Sequence, residues 1–130
     1  MNIYKFHSNP DELIGYTDRD WVFGDEAKEL ILQGKEVTKN VVGDLYLSGT
    51  AITALPDNLT VHRDLYLNGT PITALPDNLK VGGNLYLGGT QITALPDNLT
   101  VHGDLWINST PNLDTNNLPS SLVVNGEIMY

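Results

Sequence analysis

Tyr46, Tyr66, Tyr86 and Trp106 recur at intervals of 20 residues, and Asp44, Asp64, Asn84 and Asp104 stand two positions before each of them. Glu127 and Met129 continue both columns after a longer interval of 23 residues. Two residues apart in an extended segment means one face, so each acid shares a face with its aromatic neighbour. In parallel strands about 4.8 Å apart, such rings form a ladder roughly 15 Å long. Tyrosine and tryptophan combine apolar area with a polar tip and lose little rotamer entropy on burial, which makes them frequent anchors of protein interfaces. A row of carboxylates beside them selects a basic partner and speeds encounter. A purely structural reading stands next to this one. Stacked rings stabilise a parallel sheet on their own account, and carboxylates accept hydrogen bonds from turn amides.

Catalytic chemistry finds no foothold in the residue types. There is no cysteine, so thiol catalysis, disulfides and cysteine-ligated metals are excluded. No glycine-rich phosphate loop is present, and no serine lies near a histidine and an acid in a catalytic pattern. The repeated carboxylates are a column, which is poor evidence for a glycosidase pair. His62 and His102 share a column interrupted by Gly82. Two coil spacings separate them by on the order of 10 Å, too far to ligate one zinc. Asp57, Asp77 and Asp97 follow prolines in Pro-Asp-Asn runs and read as turn residues. The expectation is a chain that is not an enzyme and needs no metal or cofactor.

Formal net charge is −9 over 130 residues, with −3 carried by residues 1–40 and −6 by residues 41–130, where Arg63 and Lys80 are the only bases. Such a surface repels nucleic acid and anionic membranes; it favours a basic protein partner or serves solubility. No stretch reaches the roughly 18 apolar residues of a membrane span. The opening MNIYKFHSNPDEL lacks an apolar run behind a basic region, so a cytoplasmic location is expected. The Asn-x-Ser/Thr triplets at Asn58, Asn68, Asn98 and Asn108 then read as accidents of repetition.

The elements that position these columns are repeats. Residues 41–60, 61–80 and 81–100 each carry LYLxGTxITALPDNL; a decayed fourth copy starts at Val101, and a fifth occupies residues 124–130. A fixed short period implies a stacked solenoid whose units bury their apolar side only against neighbours. Leu65, Leu67, Ile72, Leu75, Leu79 and Val81 form the inward set of the second unit, with equivalents in the others. The spacing predicts an extended segment over 61–67, then turns at Pro56, Pro76, Pro96 and Pro119. Gly43, Gly83, Gly103 and Gly126 form a column that Arg63 interrupts, which suits tight lateral packing better than an obligatory left-handed backbone. The fourth copy holds three extra residues in TPNLDTNNLPSSL, placed after the strand where a loop tolerates them.

Over residues 41–130 the segments LYLSGTAITALP, LYLNGTPITALP and LYLGGTQITALP resemble the LxLxxNxLxxLP frame of the leucine-rich repeat family, in its short, 20-residue bacterial class. The resemblance implies an α+β fold: a parallel β-solenoid of four to five coils. Thr50, Thr70, Thr90 and Thr110 replace the family's asparagine, and a threonine ladder bridging adjacent coils is the expected substitute. The LYLxGTxITxLPDNL wording is also similar to repeats of bacteriophage and prophage proteins, which would imply action on a host or defence factor.

Residues 1–40 read as a small helical N-terminal cap, one folding unit with the solenoid of residues 41–130. Asn9-Pro10-Asp11-Glu12 starts a short helix that Gly15 ends. A second helix is expected over Asp25–Gln33, with Ala27, Leu30 and Ile31 on one face and Gly34 as terminator. At the other end, Glu127, Met129 and Tyr130 lie in an unfinished fifth strand that invites edge pairing. Three functions follow. The first is a non-catalytic module that binds, and inhibits or sequesters, a basic protein through Tyr46, Tyr66, Tyr86, Trp106, Asp44, Asp64 and Asp104. The second is a structural module forming a homodimer through Glu127, Met129 and Tyr130. The third is carbohydrate binding on the aromatic ladder.

Overall fold

The computed structural model describes residues 21–35, 37 and 40–130. The described residues wind into a parallel β-solenoid of about five turns, with one short helix among them, an α+β fold of the leucine-rich-repeat-like kind. Each of the five coils contributes one strand to each of two sheets, and a strand before the first coil adds a sixth to one of them. The six-stranded sheet runs β1 (Trp21–Phe23), β2 (Asn40–Val42), β4 (Thr60–Val61), β6 (Lys80–Val81), β8 (Thr100–Val101) and β10 (Val123–Val124). The five-stranded sheet runs β3 (Leu45–Tyr46), β5 (Leu65–Tyr66), β7 (Leu85–Tyr86), β9 (Leu105–Trp106) and β11 (Ile128–Met129). All pairs are parallel and in register, with Val61 opposite Val81 and Leu65 opposite Leu85.

The single extended segment expected over 61–67 is instead two strands joined by a bend at 62–63. Period two would point Arg63 inward between Val61 and Leu65. The bend sends Arg63 to the surface and lets both aliphatic residues, each fully buried, reach the core from different sheets. Inside, columns of like residues stack coil upon coil: Leu45, Leu65, Leu85 and Leu105 beside Leu59, Leu79 and Leu99, all buried to 0% exposure. Each such leucine contributes about 1.5–3 kcal/mol of apolar burial, but only when both neighbouring coils are in place.

Thr70, Thr90 and Thr110 are buried, yet they do not bridge coils as a ladder would. Each threonine hydroxyl donates to the carbonyl three residues earlier in its own coil: Thr50 to Leu47 at 2.7 Å, Thr70 to Leu67 at 2.8 Å and Thr90 to Leu87 at 2.7 Å. Thr110 does the same to Ile107. The residue before each threonine takes positive φ, as Gly49 (71°), Gly69 (69°), Gly89 (75°) and Ser109 (59°). The hydroxyl therefore clamps a tight turn from inside, which is local work and not a link between coils.

The other glycine column does serve close approach. Gly83, Gly103 and Gly126 are absent from the positive-φ set, while a Cβ on Gly103 would stand 2.3 Å from Asn84 Oδ1 and 2.8 Å from the Gly83 backbone. Arg63 follows Gly43 in that column, and Gly43 differs from the later glycines in its φ of +86° and in the open space around it.

The three extra residues of the fourth coil are absorbed after β9, and pairing resumes with Thr100 opposite Val123 and Leu105 opposite Ile128. At the N-terminal side, α1 (Gly24–Leu32) lies one residue earlier than the expected Asp25–Gln33, and Gly34 with φ of 71° follows it. Gly24 is indispensable to the seating of α1, since a Cβ there would fall 1.8 Å from the Asp44 carbonyl oxygen. The expected helix at Asn9 lies outside the described residues. Among those described, no helix is long and apolar enough to cross a membrane.

Candidate functional site

The outward residue of each LxL strand has no choice but to stack on its equivalent, because the coils are in register. Ring centroids of Tyr46 and Tyr66 are 3.9 Å apart with planes 11° from parallel, and those of Tyr66 and Tyr86 are 4.6 Å apart at 5°. Tyr86 and Trp106 follow at 5.9 Å and 20°. Met129 pairs in register with Trp106 and closes the rail. Tyr46 is the most open member at 54% exposure, whereas Tyr66, Tyr86 and Trp106 are partly buried. Stacking consumes the ring faces inside the rail, so its outer surface is made of ring edges and polar tips.

Beside the rail runs a ladder that links coil to coil. Asp44 Oδ1 accepts the backbone N–H of Asp64 at 3.0 Å, and Asp64 Oδ1 accepts that of Asn84 at 2.7 Å. Asn84 Oδ1 accepts from Asp104 at 2.8 Å, and Asp104 Oδ1 from Glu127 at 2.9 Å. One oxygen of each side chain thus satisfies a main-chain donor in the next coil, which is why a carboxylate and an amide serve equally in this column. The repulsion expected between in-register acids is offset by these charge-assisted bonds.

The second atom of the side chain turns toward the rail. The Tyr66 hydroxyl donates to Asp64 Oδ2 at 3.1 Å, and Asn84 Nδ2 donates to the Tyr86 hydroxyl at 3.0 Å. Tyr66 is held above the usual phenol pKa, first by burial between its neighbours, then by its hydrogen bonds to Tyr46 and Asp64 and the charge of Asp64. Arg63 Nε lies 3.8 Å from Asp44 Oδ1, but both side chains are largely exposed, so this pair contributes little.

Tyr46, Tyr66, Tyr86, Trp106, Asp44, Asp64 and Asp104 are therefore brought onto one face. Glu127 and Met129 extend it, and Tyr130 is 71% exposed at the last described position. Trp106 breaks the pattern: its indole Nε1 is buried without a hydrogen-bond partner. Replacement of tyrosine by tryptophan was visible in the sequence; the loss of the paired bond was not. Elsewhere, His62 meets Asn40 at 3.3 Å and His102 meets Asn125 at 3.0 Å. Among the described residues no group of three or more His, Asp or Glu gathers to hold a metal ion.

The chain matches no protein-family model, no curated protein and no solved structure.

Proposed function

We propose that the chain is a non-catalytic binding module that takes a basic protein partner on the aromatic rail and its acidic border, and inhibits or sequesters it. The observation that carries this reading is the rail itself: four stacked aromatic side chains on one face, partly open, edged by carboxylates. A rigid aromatic surface binds with little entropy loss, which is the property that makes an interface anchor. Because stacking covers the inner ring faces, the rail favours a protein, which meets edges and hydroxyls, over a sugar, which needs open faces. The protein carries net charge −9, and this supports a basic partner.

The test is affinity capture from a bacterial lysate with the wild-type chain, Tyr66→Ala/Trp106→Ala, and the turn variant Asp77→Asn. A partner lost with the double variant and kept with Asp77→Asn is the expected result. Equal recovery by all three removes the rail from the mechanism.

Self-association through Glu127, Met129 and Tyr130 is a second reading, favoured by one observation. Among the described residues, strands β10 and β11 each pair on one side only, and Val123 of β10 is 46% exposed. Sedimentation equilibrium across a wide concentration range tests it, and a monomer throughout would end it.

A further inference from the structure

The geometry points to Asp104 and Trp106 as the cation-binding end of the rail, a place for an arginine side chain of the partner. This deepens the protein-binding reading and rests on it. The pairing between the two columns breaks at the fourth coil. At the two preceding coils the Asx side chain and the aromatic tip satisfy each other, Asp64 with Tyr66 at 3.1 Å and Asn84 with Tyr86 at 3.0 Å. At the fourth coil they cannot. Tryptophan has no hydroxyl, and its Nε1 is turned into the protein without a partner. Asp104 keeps its ladder bond through Oδ1 to the Glu127 N–H at 2.9 Å. Among the described residues no hydrogen bond or ion pair is made to Asp104 Oδ2. That oxygen is not a buried orphan either, since Trp106 Nε1 is the only buried side-chain atom without a partner among those residues. Asp104 is partly exposed, and its Oδ2 is uncommitted among the described residues, two positions before the largest aromatic side chain of the rail.

Those properties select a cation. Among side-chain cations, guanidinium fits best: it is planar, is weakly hydrated and donates directed N–H bonds to a carboxylate. Asp64 offers no comparable site because both its oxygens are used. Asn84 offers none because it is neutral. Asp44 also takes no hydrogen bond at Oδ2 among the described residues, but Arg63 Nε of the same chain already stands 3.8 Å from its Oδ1. With tryptophan in place of tyrosine, Asp104 lacks the internal partner that Tyr66 gives Asp64.

The test measures binding of a fluorescently labelled hexa-arginine peptide by anisotropy, with hexa-lysine and hexa-glutamate as comparison probes. Asp104→Asn is a clean variant, because Asn84 already performs the same ladder bond with an amide oxygen. Asp97→Asn, at an exposed turn, removes the same charge elsewhere. Asp104→Asn is expected to weaken hexa-arginine binding about tenfold, and Asp97→Asn by less than about twofold. Trp106→Tyr, which supplies a hydroxyl to occupy Oδ2, is expected to weaken binding as well without lowering the denaturation midpoint. Equal losses for Asp104→Asn and Asp97→Asn would reduce the effect to general charge attraction and overturn the site, as would absence of hexa-arginine binding by the wild type. Failure here is separable from failure of the broader reading. Lysate capture that depends on the rail but not on Asp104 removes only the arginine site; Asp104-dependent peptide binding without rail-dependent capture removes only the protein-partner reading.

Discussion

Asp64 Oδ1 accepts the backbone N–H of Asn84, one coil further on, at 2.7 Å, so a side chain does between coils what main-chain pairing does within the sheets. Asp64→Ala would leave that half-buried N–H without its acceptor and is expected to cost about 1–3 kcal/mol. Asp64→Asn keeps the acceptor, as Asn84 does, and is expected to cost less than about 1 kcal/mol. Urea denaturation of the two variants checks this. Equal losses would mean that the charge, and not the ladder bond, is what matters.

Ser109 stands at φ of 59° in the turn column otherwise filled by Gly49, Gly69 and Gly89. A non-glycine residue there costs about 1–2 kcal/mol, partly recovered through the smaller entropy loss of serine relative to glycine. Ser109→Gly is therefore expected to stabilise the chain by about 0.5–1 kcal/mol. A lower thermal midpoint for this variant would contradict the turn geometry.

Leu85 is fully buried, with Leu65 and Leu105 in register on either side, whereas Ile128 at the last coil is only partly buried. Leu85→Ala is expected to cost about 2–5 kcal/mol, and Ile128→Ala clearly less. Chemical denaturation of both variants measures the gradient. Similar losses at the two sites would show that the terminal coil is packed as tightly as the middle.

Glu26, in the first turn of α1, has its pKa raised from 4.5 to about 7, chiefly by burial and against the opposing hydrogen bond with the Phe23 backbone. The folded chain then holds this proton more tightly than the unfolded chain does. Its contribution to stability is complete below pH 4.5 and is lost as pH rises through about 7. Glu26→Gln is expected to flatten the decline in thermal midpoint across that window. An unchanged slope in the variant would assign the pH dependence to other groups.

The leucine and valine columns, the 20-residue period and the outward placement of Tyr46, Tyr66, Tyr86 and Trp106 were all readable from residue spacing. The reason is physical: a unit repeated in register must stack like upon like, so each column in the sequence becomes a row in space. The small helix near Asp25 was readable for the same kind of reason, as a local run of helix-forming residues ended by glycine.

Directions of hydrogen bonds were not readable. Thr70 and Asp64 both carry a polar atom able to reach a neighbouring coil, and the resemblance to the leucine-rich repeat frame nominated the threonine. Only the folded backbone decided the matter. The left-handed turn at Gly69 folds the Thr70 hydroxyl back onto Leu67, while the bend at 62–63 aims the Asp64 carboxylate at the next coil. The uncommitted oxygen of Asp104 and the buried Trp106 nitrogen belong to the same class of fact. Composition places an acid beside a tryptophan; whether they satisfy each other is a matter of angstroms and angles, which exist only after the coils have closed on one another.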